Sequence, residues 1–192
     1  MDKEKQLKEL NDLFASKIKS PLLKTCQQMV PGSGSANADV IFIGEAPGKK
    51  EDETGLPFVG AAGKFLDHML EAIDLKRDDV YITNIVKCRP PDNRDPLPEE
   101  KEEFFPWLAA QIELIKPKII ATLGRHSLSS LVPNQKISEV HGTVLNVEVP
   151  GAGKLHIYAL YHPAAALYNG GMRETLLEDF KKIPKVIKSA TK

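Results

Sequence analysis

A chain of 192 residues, 42% hydrophobic and 27% charged, has the size and balance of one globular domain with a sizeable core and does not need a second. Its 26 Lys and Arg are matched by 26 Asp and Glu, which argues against a protein that coats nucleic acid through a broad basic surface but leaves room for an enzyme gripping a few phosphates. No apolar run approaches a membrane span, and the start, MDKEKQLKEL, lacks the apolar stretch of a secretory signal, so a cytoplasmic location is expected.

Residues 2–19 place Leu7, Leu10, Phe14 and Ile18 on one helical face, the pattern of an amphipathic helix packed on the domain; the helical segment 1–29 is counted as part of a single domain, 1–192. VPGSGSANAD (30–39) is a turn-rich loop, and DVIFI (39–43) is a buried strand. A helix from Gly63 to about Asp74 buries Phe65, Leu66, Met69 and Leu70, and a second strand, 79–83, ends at Asn84. Four prolines stiffen 88–98 before a helix from Pro98 to about Ile115 whose first turn is acidic, as the helix dipole prefers. A third strand, 118–123, is closed by Gly124 and followed by a short helix, Arg125–Leu131. Strands near 143–149 and 155–161 and a last helix over 173–188 complete the chain, with lysines concentrated in 181–192. Strands alternating with helices predict an α/β fold, a three-layer α/β/α sandwich around a central, mainly parallel four-stranded sheet. Two distant cysteines, Cys26 and Cys88, in an intracellular chain predict no structural disulfide.

Three stretches are not core-building sequence. GEAPGKKEDETGLPFVGAAG (44–63) leaves the first strand through Gly44, Pro47 and Gly48 and displays acids before reaching Phe58; TNIVKCRPPDNRDP (83–96) leaves the second strand; YHPAA (161–165) leaves the last. Such rims, at the carboxyl ends of strands, are where open α/β sheets hold ligands. In order and spacing the three stretches resemble the motifs of the uracil-DNA glycosylase superfamily, in the GEAPG form of its family 4 enzymes, over about residues 30–180.

The resemblance implies hydrolysis of the bond between uracil and deoxyribose in DNA, leaving an abasic site, as a step of base excision repair. Asn84 would read the base. A carboxamide donates from nitrogen and accepts at oxygen, which suits the O4 and N3–H of uracil, whereas cytosine presents the opposite pattern. Phe58 would stack on the extruded base beside Gly44 and Ala46, and His162 would donate toward O2 as negative charge develops. Better-known members carry a water-activating Asp in GQDPY; aligning GEAP with it puts Ala46 there, so Glu45 and Glu51 are the substitute carboxylates, with Glu51 favoured for the water and Glu45 for holding the loop. Arg89, Pro90 and Arg94 are expected to face DNA, with Leu167 or Tyr168 as a wedge. The remaining histidines, His68, His126, His141 and His156, read as structural.

Family 4 enzymes carry a 4Fe–4S cluster on four cysteines, and here only Cys88 stands in place: the other positions fall on Lys17, Ser20 and Phe104. The expectation is therefore no metal and no cofactor. The expected partner is uracil-containing DNA, with no membrane and a monomeric protein. Two rival readings stay open, a glycosylase of the same fold acting on hypoxanthine or another deaminated base, and a catalytically inactive DNA-binding homologue.

Overall fold

The computed structural model describes residues 2–190; Met1, Thr191 and Lys192, which the domain bounds and the lysine-rich tail include, lie outside. The apolar run after residue 39 forms β2 (Val40–Gly44), buried along its whole length. Such unbroken burial is characteristic of a strand covered on both faces. It pairs in parallel with β3 (Tyr81–Asn84) on one side and β4 (Ile119–Leu123) on the other, and β4 pairs in parallel with β6 (Gly153–Leu160). Two antiparallel edges complete the sheet: β1 (Ser33–Gly34) on β3, and β5 (Val144–Val149) on β6. The order β1-β3-β2-β4-β6-β5 makes six strands, a correction to the four expected. The parallel centre matches the expectation, and the excess comes from a two-residue edge and a hairpin arm.

Side chains alternate across the sheet, and each face buries its own core. Against one face, α1 (Lys3–Lys17) and α4 (Pro98–Ile115) pack Leu7, Phe104, Trp107 and Ile112 onto Ile41, Ile43 and Ile120. Against the other, α3 (Ala61–Glu71) and α8 (Gly171–Ser189) pack Phe65, Met69, Leu176 and Phe180 onto Phe42, Ile82 and Leu160. Shorter helices α2 (Lys49–Thr54), α5 (Arg125–Leu131), α6 (Ile137–Val140) and α7 (Ala165–Tyr168) sit in the connections. Among the described residues, no helix is long and apolar enough to cross a membrane.

Cys26 and Cys88 are joined, with Cα atoms 5.6 Å apart, which corrects the expectation of no disulfide. Their separation of 62 positions concealed a close approach. The stretch after the 3₁₀ turn Pro21–Lys24 lies across the exit of β3 and against α2, fixed by Val30 N–H to Lys87 O (2.7 Å) and Gln27 N–H to Asp52 Oδ1 (2.8 Å).

Candidate active site

The carboxyl ends of β2, β3, β4 and β6 converge on one rim, occupied by Gly44, Asn84, Gly124 and His162. Asn84 is 2% exposed, and its Oδ1 is sealed from solvent with no hydrogen-bond partner among the described residues. A buried acceptor left this way costs about 1–3 kcal/mol, so it marks a place where a donor is meant to arrive. The absence of a side chain at Gly44 makes room for it: a Cβ there would collide with the Asn84 carboxamide and come 2.7 Å from Phe58 Cζ.

Phe58 is buried and takes a positive φ of 52°, a conformation a bulky residue adopts only when its surroundings enforce it. Arg77 is the enforcer. Its guanidinium donates to Pro57 O (2.9 Å) and to Phe58 O, and its Nε donates to Asp67 Oδ1 (2.5 Å). Gly63 completes the seat, because a Cβ at that position would run into the Phe58 carbonyl.

His162 faces Phe58, with ring centroids 5.7 Å apart, and packs closely on Gly124, whose φ of 95° and missing side chain admit it. Its Nδ1 accepts from Ala164 N–H (3.1 Å), which puts the ring proton on Nε2. Burial lowers its pKa to about 4 despite the charge of Glu51. At neutral pH the imidazole is uncharged and a donor at Nε2.

The two glutamates occupy different seats. Glu51 Oε1 accepts from Val59 N–H (2.9 Å) and Gly60 N–H (3.0 Å), at the start of α3, where a carboxylate is favoured; its Oε2 lies over Gly48. Glu51 thus holds the loop, the part expected of Glu45, while keeping one oxygen uncommitted. Glu45 lines a cleft of about 190 Å³ with Ala46, Pro47, Gly48, Arg94 and His162. Its Oε1 makes no hydrogen bond among the described residues, lying 3.3 Å from His126 Nδ1 and 4.0 Å from Lys101 Nζ. Burial, then the charge of Asp95, raises its pKa to about 7. Larger clefts of about 460 and 470 Å³ both border Lys116, which precedes the amino end of β4, away from this chemistry.

His126, read as structural, therefore belongs to the rim. Glu45, Asp95 and His126 bring ligand atoms within 4.8 Å of one another, a spacing that a cation could bridge. The protein supplies positive charge there itself, through Lys101 and through Arg125, whose Nε donates to His126 Nε2 (3.0 Å). The loop beyond β3 turns through Asp92 and Asn93, both at φ 54°. Arg89 Nε donates to Asn93 Oδ1 (2.8 Å), and Arg94 forms a two-pronged pair with Glu100 (2.6 and 2.8 Å). Pro90 is buried, so it shapes this loop without offering it a surface. Leu167 and Tyr168 stand 49% and 89% exposed on α7, a helical turn in place of the expected loop.

The profile of the "Uracil DNA glycosylase superfamily" matches residues 31–184. The chain belongs to this superfamily. Its relatives include type-4 uracil-DNA glycosylases of Archaeoglobus fulgidus, 49% identical over 86% of this chain and 85% of that protein; of Saccharolobus solfataricus, 46% identical over 93% and 87%; and of Thermotoga maritima, 38% identical over 94% and 96%.

A 4Fe–4S cluster, the group implied by the resemblance to family 4, does not fit the residues of this member of the superfamily. Lys17 is exposed, the Ser20 hydroxyl caps the turn at Leu22 N–H, Phe104 is sealed in the core beside Trp107, and Cys88 is bonded to Cys26. Cluster ligation needs thiolates, and these positions supply none: three are not cysteine and the Cys88 sulfur is bonded to Cys26.

Two contributors left no signal of their own in the motifs: Arg77, nineteen residues from the carbonyl it holds, and His126.

Proposed function

We propose that the chain is a cofactor-free uracil-DNA glycosylase, a single cytoplasmic domain acting as a monomer in DNA repair. The observation that carries this reading is the buried Asn84 Oδ1, without a partner among the described residues, beside a Phe58 whose ring faces His162. An extruded uracil lying on Phe58 would present N3–H to that oxygen and O4 to the amide nitrogen. As the C1′–N1 bond breaks, its electron pair leaves with the base, and the neutral His162 donates from Nε2 to O2. Water then adds at C1′ of the sugar cation and gives its proton to a carboxylate, leaving an abasic site and the uracil anion, which takes up a proton from that carboxylate or from solvent to leave as uracil. Glu51 is the favoured acceptor because its loop bonds hold it in place with Oε2 uncommitted. Glu45, with its raised pKa, is the alternative. Arg89 and Arg94 would reach phosphates, and Leu167 would enter the duplex.

The test is a labelled oligonucleotide with one uracil, treated with alkali after incubation, alongside inosine and undamaged strands. Cleavage confined to uracil is expected. Cleavage at inosine alone would reassign the base, and none at either would leave a binding protein. Asn84→Ala and His162→Ala should each slow excision by about 10²- to 10³-fold, the usual loss of one transition-state donor or reader.

A further inference from the structure

Lys87 is fully buried, and its three hydrogen bonds run to Thr83 Oγ1 (2.6 Å), Asn84 O (2.7 Å) and Gln111 Oε1 (2.9 Å). None of these partners is charged. The two side-chain acceptors are oriented by bonds of their own. The Thr83 hydroxyl donates to Pro31 O, and Gln111 Nε2 donates to Asn11 Oδ1, Pro31 O and the Tyr81 hydroxyl. Thr83 and Gln111 therefore turn their remaining oxygen lone pairs to the lysine. Burial without a charged partner lowers the pKa of Lys87 well below its ordinary value; the three acceptors around its nitrogen oppose that shift, because they use all three protons of an ammonium and a neutral amine would leave one of them short.

The lysine reaches the reading residue from behind. Thr83 and Asn84 are adjacent on β3 and face opposite sides of the sheet. Beyond Asn84, Ile85 N–H bonds to Gly44 O (3.0 Å) and Val86 N–H to Glu45 O (3.1 Å), while the Asn84 carbonyl is held by Lys87. The peptide that carries the carboxamide is thus held on both sides, and its position does not depend on the base being present. Hydrogen-bond readers work when fixed in advance in this way.

We propose that Lys87 is a positioning residue for base recognition, its ammonium clamping the Asn84 main chain so that the carboxamide keeps one register toward the base. This rests on the reading of the rim as a uracil site. The test compares wild type with Lys87→Met, Thr83→Val and Tyr81→Phe, the last altering the same buried network without touching Lys87. The readouts are thermal stability, single-turnover excision, and competition by free uracil against 3-methyluracil, which lacks the N3–H that Asn84 would accept. Lys87→Met should slow excision by about 10-fold or more and pull the preference for uracil toward unity. Thr83→Val should move both in the same direction by less, and Tyr81→Phe should keep both within about 2-fold even where its stability falls. An unchanged uracil preference in Lys87→Met or, should that variant not fold, in Thr83→Val overturns the role of Lys87; so does an equal loss in Tyr81→Phe. A wild type that leaves uracil DNA intact overturns the site reading itself, and the proposal with it.

Discussion

Glu45 is drawn largely out of water without gaining a hydrogen-bond donor at Oε1, and its pKa rises to about 7 from an ordinary value of 4.5. Between those values the folded protein keeps a proton that the unfolded chain has lost, so stability falls as pH rises through the window and levels off above it. Glu45→Gln has no charge to bury. Its melting temperature should exceed that of wild type by a gap that opens between pH 4.5 and 7 and then stays constant, as thermal scans at spaced pH would show. The same group separates the two candidate bases. If Glu51 accepts the proton from water, the excision rate should show no limb near pH 7; a limb near 7 that vanishes in Glu45→Gln assigns the base to Glu45.

At the scale of the element, the loop from β2 to α3 stores strain at Phe58 and holds it with Arg77, Glu51 and the bare face of Gly63. Gly63→Ala sets a side chain against main chain, which cannot swing aside, and should cost about 2 kcal/mol or more in stability along with most of the excision activity. Gly60→Ala would meet only Glu51 Oε1 at 3.4 Å and should be tolerated; urea unfolding and an excision assay on both variants check the contrast. The central strands were legible because β2, β3 and β4 are apolar runs closed by turn formers. β1 was not, since two residues of a Ser-Gly loop carry no periodicity, whereas the strand expected near 143–149 is β5, an antiparallel edge that the expected four-stranded sheet did not count. The motifs announced Asn84 and His162 through their places at strand ends, and Phe58 through the motif loop that leaves β2. Arg77 and His126 act through contacts that exist only after folding, which no local pattern encodes.

In the molecule as a whole, the N-terminal segment and α4 close one side of the sheet where the resemblance to family 4 would set a cluster, and they do it with aromatic packing: Phe14 stacks on Trp107 at 5.8 Å, beside Phe104. The protein as purified should contain no stoichiometric iron. Titration under denaturing, non-reducing conditions should find no free thiol, and Cys26→Ser should lower stability by roughly 4 kcal/mol, the figure expected for closing a loop of this length. The uncharged state of His162 bears on what happens after the bond is cut. On the proposed reading the liberated base would be held by dipoles and stacking, without an ion pair, whereas the abasic strand would be held through Arg89 and Arg94. Added salt weakens the second grip and scarcely touches the first, so ionic strength should set the order of departure: the strand goes earlier as salt rises, and the base keeps its own pace.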